Sequence, residues 1–256
     1  MTILVFDSGI GGLSVLREAR ILMPEHRFVY VADDASFPIG SWEEKALTQR
    51  LMQVFEDLVE RHRPVMIIVA CNTASTIILP HLRERFDFPI VGTVPAIKPA
   101  AERTASGQVS VLATPGTVQR DYTRSLISEY ASGVNVRLVG APNLAALAEE
   151  FMLTGSVDRD AVHKEISDCF IDRFGARTDV VVLACTHYPF LINVFRRLAP
   201  WPVDWLNPAE AIGRHAQSLL PHGGDIQVVQ DVAEFTKGRP KPEMLRLLSG
   251  FGLKVI

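Results

Sequence analysis

The chain has 256 residues, 48 % hydrophobic and 21 % charged, with 17 glycines and 16 prolines; at ~150 residues per domain this makes one large domain or two small ones. That composition excludes disorder and fibrous repeats. A net charge of −3 provides no positive field to draw nucleic acid, so no such partner is expected.

The longest uninterrupted apolar run, residues 65–71, is far short of the ~20 residues that span a bilayer. The first residues lack a basic segment, and Asp7 interrupts their apolar stretch, so no signal peptide is read. The expectation is a cytoplasmic protein with no membrane partner.

In chain order, short apolar β-branched runs predict strands at 2–6, 28–32, 65–70, 89–93, 109–113, 134–139, 180–184 and 201–205. Several are nearly continuous rather than alternating, as in parallel strands buried on both faces. Between them the spacing turns helical. Over 42–62, Leu47, Leu51, Phe55 and Leu58 form one apolar stripe. Glycine and proline punctuate the joins, at Gly9, Gly11 and Gly12 and again at Pro115 and Gly116. Alternating strands and helices predict an α/β fold with parallel sheets, whose sites lie at the carboxyl ends of the strands.

The chain also repeats itself. Met66-Ile67-Ile68-Val69-Ala70-Cys71-Asn72-Thr73 is echoed by Val180-Val181-Val182-Leu183-Ala184-Cys185-Thr186-His187, with the two cysteines 114 residues apart. Each segment is an apolar strand ending in Ala-Cys, followed by polar residues suited to cap a helix. A weaker echo relates Val5-Phe6-Asp7-Ser8 to Leu112-Ala113-Thr114-Pro115-Gly116-Thr117. The third cysteine, Cys169, falls on a predicted helix and is expected in the core. Three cysteines, none at C-x-x-C spacing, do not make a disulfide framework, a zinc site or a dithiol redox site.

Two strand-end thiols point to proton chemistry. At a helix start, the positive end of the helix favours thiolate and free N–H groups bind carboxylates. A thiolate and a thiol facing one another across an anion-binding cleft can remove a proton from one face of a carbon and return it on the other. That inverts a stereocentre with no cofactor and no metal. Asp7 is placed to orient or deprotonate a neighbour and Ser8 to bind carboxylate, unless both merely cap the next helix. His187, two residues from Cys185, is a candidate proton shuttle. Glu149 and Glu150 lie on a predicted helix, where a solvated face is the plain alternative. Gly9 to Ser14 lacks the third glycine of a dinucleotide fingerprint, and no phosphate loop or H-E-x-x-H occurs.

Phe6-Asp7-Ser8-Gly9-Ile10-Gly11-Gly12-Leu13-Ser14-Val15-Leu16, Ala70-Cys71-Asn72-Thr73-Ala74-Ser75 and Leu183-Ala184-Cys185-Thr186-His187-Tyr188-Pro189 resemble the three signature segments of bacterial glutamate racemases. These belong to the cofactor-independent aspartate/glutamate racemase superfamily. The resemblance implies two doubly wound α/β domains related by pseudo-twofold symmetry, residues 1–96 plus 208–256 and residues 97–207, with the active site in the cleft between them. It assigns Cys71 to the α-proton of D-glutamate, assisted by Asp7, and Cys185 to that of L-glutamate, assisted by His187. It places Asp7, Ser8, Ile39, Gly40, Asn72, Thr73, Thr117, Thr186 and His187 at the substrate. Glu149 matches an auxiliary catalytic glutamate, with Glu150 the alternative. The implied role is supply of D-glutamate for peptidoglycan; a homodimer is the candidate assembly.

Two positions depart from the family pattern. The usual D-T-A-x-x-P-Y-G reads Asp33-Asp34-Ala35-Ser36-Phe37-Pro38-Ile39-Gly40, with Ile39 in place of tyrosine, and Asn207 replaces an expected aspartate. Aspartate or another small acid is therefore a rival substrate. A non-catalytic binding protein of the same fold is a rival of a different class, against which stand both cysteines with Asp7 and His187.

Overall fold

The structure is a computed structural model describing residues 1–39, 42–220 and 230–256. Two compact units emerge, residues 1–93 with 209–256, and residues 94–208.

The first unit begins β1 Thr2–Asp7, α1 Leu13–Leu22, β2 Arg27–Ala32, α2 Glu44–His62, β3 Met66–Val69, α3 Asn72–Arg85 and β4 Ile90–Gly92. The second contains α4 Ile97–Arg103, β5 Gln108–Ala113, α5 Pro115–Val118, α6 Asp121–Tyr130, β6 Asn135–Gly140, α7 Leu144–Thr154 and α8 Arg159–Ile166. It continues through a small hairpin, β7 Asp172–Arg173 and β8 Ala176–Arg177, to β9 Val180–Ala184, α9 Ile192–Leu198 and β10 Asp204–Leu206. The chain then rejoins the first unit with α10 Ala209–Ser218, β11 Val232–Phe235, α11 Pro242–Gly250 and β12 Lys254–Val255.

The first unit's sheet has the order β12-β11-β2-β1-β3-β4, and every neighbouring pair is parallel. The second unit's sheet, β10-β9-β5-β6, is parallel as well. The core of the first sheet, β2-β1-β3-β4, and the whole second sheet, β6-β5-β9-β10, share one order. The Ala-Cys echo thus sits on corresponding strands, β3 and β9, and the weaker echo on β1 and β5.

Burial explains the strand sequences. Every residue of β3 and β9 is buried, so alternation has no solvent face to serve. In the first unit Leu4, Phe6, Val29, Val31, Ile67 and Val69 pack on one side against the α2 stripe and α3, with the Phe6 and Phe55 rings 4.6 Å apart. Ile3 and Val5, on the other side of the pleat, are equally buried. There α1 and α10 meet so closely that a Cβ on Gly213 would lie 3.0 Å from Leu22 Cδ1. In the second unit Val109, Val111, Val180, Val182 and Ala184 pack with Ile97 and Ala100 of α4.

Two differences from the sequence reading have physical causes. The last predicted strand, 201–205, is shifted to Asp204–Leu206. Pro202 has no N–H to give a ladder, and the ladder begins where the Asp204 N–H reaches the Asp179 carbonyl at 2.7 Å. Strands β11 and β12 were not expected. Glu234 breaks the apolar signal of β11, and only tertiary structure supplies its partners, Arg61 at 2.6 Å and His62.

Candidate functional site

In the first unit, two strand ends carry the candidate residues. β1 ends in Asp7, followed by Ser8, and β3 leads into Cys71. All three side chains are buried. The Ser8 hydroxyl donates to Asp7 Oδ1 at 3.2 Å and lies 3.8 Å from Cys71 Sγ. The Gly9 N–H also donates to Asp7 Oδ1, at 3.2 Å. A Cβ on Gly12 would stand 2.9 Å from Asp7 Cβ, so glycine there leaves room for the carboxylate.

Cys71 is the N-cap of α3, in extended conformation. Its carbonyl accepts from the Ser75 N–H at 2.9 Å. Asn72 and Thr73 open the helix, both buried. Both amide atoms of the Asn72 side chain are buried and lack a hydrogen-bond partner among the described residues. Buried amides are ordinarily satisfied, so Asn72 stands out as a group built for something other than the fold. Ile39 packs in the same apolar cluster as Cys71. Its side chain belongs to the core, and only its backbone is left for a ligand. Gly40 lies outside the described residues.

In the second unit Cys185 follows β9 and is buried, as are Thr186 and His187. Cys185 Sγ lies 3.7 Å from His187 Nδ1, and His187 Nε2 lies 3.0 Å from Glu149 Oε1 on α7. A carboxylate accepting from Nε2–H leaves the Nδ1 lone pair facing the sulfur. The order carboxylate, imidazole, thiol is therefore suited to carry a proton off Cys185. Glu150 is exposed, and the geometry selects Glu149. Thr117 lies on α5, its hydroxyl 3.1 Å from that of Thr114.

One expectation is corrected. Cys185 does not cap an α-helix: Tyr188–Leu191 form a 3-10 turn and α9 begins only at Ile192. Pro189 in that turn has no N–H to give, and Tyr188 is buried, its hydroxyl donating to the Ala141 carbonyl at 3.4 Å. The third thiol is chemically quiet. Burial first, and Asp168 next to it, push Cys169 up to about 12. Among the described residues, no group of three or more His, Cys, Asp or Glu is arranged to hold a metal ion, and no helix is long and apolar enough to cross a membrane.

The sequence reading passed over Asp33, although it opens the segment compared with the family pattern. It is fully buried immediately after β2. Its carboxylate takes hydrogen bonds from Arg50 Nε at 3.0 Å and from the hydroxyls of Ser36 and Thr236, each at 2.6 Å. A second Arg50 nitrogen, Nη2, completes the fork. The missing signal was long-range, since Arg50 and Thr236 stand 17 and 203 residues away.

Known proteins of like sequence and fold give the class, an amino-acid racemase. The Asp/Glu/Hydantoin racemase family matches residues 14–216, and the chain belongs to that family. Within it the chain stands with the glutamate racemases. The glutamate racemase of Mesorhizobium japonicum is 60 % identical over 256 residues, covering 99 % of this chain and 98 % of the relative. That of Brucella canis is 59 % identical over 98 % of this chain and 92 % of its own. Among solved structures, Escherichia coli glutamate racemase, in complex with L-glutamate and the activator UDP-MurNAc-ala, matches with a TM-score of 0.90 at 37 % identity, covering 100 % of this chain and 97 % of that one.

Proposed function

We propose that this chain interconverts L- and D-glutamate without a cofactor, and that the D-glutamate serves peptidoglycan synthesis. Cys185 takes the α-proton of L-glutamate while the Cys71 thiol delivers one to the opposite face; for D-glutamate the roles exchange. Each turnover consumes one thiolate and one thiol and leaves one of each, so the acid–base account balances.

An amino-acid α-hydrogen is far less acidic than a thiol. The site must therefore stabilise a carbanion-like transition state with donors already in place. Candidates are the Ser8 hydroxyl, the Asn72 amide, Thr73, Thr186 and the backbone N–H groups that open α3. Asp7 through Ser8 serves Cys71, Glu149 through His187 serves Cys185, and Thr117 with the backbone of Ile39 completes substrate binding. The low exposure of both thiols, 5 % and 7 %, favours proton transfer without competing water.

The observation that carries this reading is the pair of buried thiols on corresponding strands, each backed by its own polar group at 3.7–3.8 Å. The test is incubation with L-glutamate in D₂O, following the α-proton by NMR and optical activity by circular dichroism. Loss of the α-proton together with decay of optical activity to zero is expected. Both signals with aspartate but not glutamate would replace the substrate and keep the chemistry. Silence with every small acidic amino acid would sink the reading.

A further inference from the structure

The ends of β2 and β6 invite a direct comparison. The residue after each strand donates its N–H to the end of the neighbouring strand: Asp33 to the Asp7 carbonyl at 2.8 Å, Ala141 to the Ala113 carbonyl at 2.8 Å. The backbone frame is the same, and the side chains differ completely. Where the second unit has a methyl group, the first buries a carboxylate.

That carboxylate gathers three parts of the first unit. Arg50 reaches it from α2, Thr236 from the segment after β11, and Ser36 from its own loop. Neighbouring contacts extend the same seam. The Ala35 N–H donates to Thr236 Oγ1 at 3.3 Å and the Lys237 N–H to Asp34 Oδ1 at 2.9 Å. Trp42 Nε1 donates to the Ser36 carbonyl at 2.9 Å, and its ring lies under the Arg50 guanidinium, 5.9 Å away. Segment 33–39 is therefore fixed from both sides, and the strand to which Asp33 is tied delivers Asp7 and Ser8.

A buried ion that served folding alone would be a costly choice. Replacing such a pair with apolar groups is often neutral or stabilising. What a charged, forked and fully satisfied carboxylate gives in addition is a single backbone geometry. Ile39, at the end of this segment, has its side chain in the core, so its usefulness to a ligand depends on where the backbone is held.

We propose that Asp33 is a positioning residue for substrate binding: together with Arg50, Ser36 and Thr236 it locks segment 33–39 against the Asp7 strand end, so that the backbone at Ile39 is preset for the glutamate. This rests on the racemase reading above. Burial works against ionisation of Asp33, but the hydrogen bonds from Arg50, Ser36 and Thr236 outweigh it and hold the carboxyl below its usual value. The clamp is thus engaged throughout the neutral range.

The test is Asp33→Asn, measured by steady-state racemisation, by deuterium uptake of peptides covering 34–39, and by thermal melting. Losing charge-assisted hydrogen bonds at a remote binding segment is expected to raise KM for glutamate about tenfold or more, with kcat within about threefold. Uptake over 34–39 should rise. Thr236→Val, which keeps side-chain shape and removes one donor, should move both readouts the same way by a smaller amount, and serves if Asp33→Asn fails to fold. A folded variant with unchanged KM, or with unchanged uptake over 34–39, would overturn the proposal, since a merely structural role would lower the melting temperature alone. Failure of the wild-type chain to racemise glutamate would instead remove the reading beneath it, while the uptake measurement would still decide whether the clamp exists.

Discussion

Cys71 and Cys185 end corresponding strands of two sheets with the same order, yet what stands behind each sulfur differs. Cys71 caps a fourteen-residue α-helix and meets a hydroxyl, Ser8, itself bonded to Asp7. Cys185 runs into a 3-10 turn and meets an imidazole, His187, backed by Glu149. The first thiol has a helix start and a neutral neighbour. The second has an imidazole–carboxylate pair in place of the helix. A duplicated backbone can thus host two solutions to one demand, because strand order fixes where a side chain begins and not what it touches.

The comparison breaks most directly at the sulfurs. If both thiols transfer protons, Cys71→Ser and Cys185→Ser should each lower kcat/KM in both directions by about 10²–10⁴-fold, the usual worth of a positioned acid–base group. Racemisation followed by circular dichroism checks this, and near-normal turnover by either variant would end the two-thiol account.

The relays should then separate. Glu149→Gln leaves His187 without the charge that sets its tautomer, and kcat should fall by about 10²-fold. Ser8→Ala removes only a neutral hydroxyl, so its loss should be about tenfold or less. Equal effects of the two substitutions on kcat would show that the two surroundings do the same work.

A steric probe comes next. Gly12→Ala would press its Cβ to 2.9 Å from Asp7 Cβ and 3.1 Å from Asp7 Oδ2, and overpacking of this kind costs about 1–3 kcal/mol. Denaturant unfolding should show that loss, accompanied by reduced kcat as Asp7 is displaced. A loss of stability with full activity would remove Asp7 from the relay.

The smallest effect is expected with pH. Burial holds His26 below its usual value against the pull of Glu25. A base whose folded pKa is depressed gives stability that is complete above about pH 6.5 and declines as pH falls below it. In the second unit, Asp179 pays for burial with hydrogen bonds from Thr104 and from the Ala105 and Ser106 N–H groups, and its carboxyl is held low. Its contribution is complete above about pH 4 and is lost only as pH falls below that. Protection factors, which correct hydrogen exchange for its own pH dependence, should therefore fall in the first unit before the second between pH 7 and 5, and His26→Gln should remove the difference.

The strand runs were legible in the residues themselves, because a strand buried on both faces must be apolar whatever surrounds it; β1, β3, β5 and β9 are instances. The Ala-Cys repeat was legible for the same reason, being local. Strand β11 was not, because Glu234 looks polar until Arg61 and His62 are brought to it. The helix expected after Cys185 was misread because Thr186 and His187 resemble capping residues in isolation.

By itself, the sequence determined an α/β chain with two strand-end thiols, with His187 two residues from one of them and Asp7-Ser8 at the end of another strand, since those facts follow from periodicity and adjacency; that Ser8 meets Cys71, 63 residues away, is tertiary. Only tertiary structure decided that Glu149 and not Glu150 backs His187, that Ile39 is a core residue, and that Asp33 anchors the segment leading to it. These choices depend on residues separated by 17 to 203 positions in the chain. Hydrogen bonds and packing act over a few ångströms of space, and sequence distance carries no record of which distant groups the fold will place within that reach.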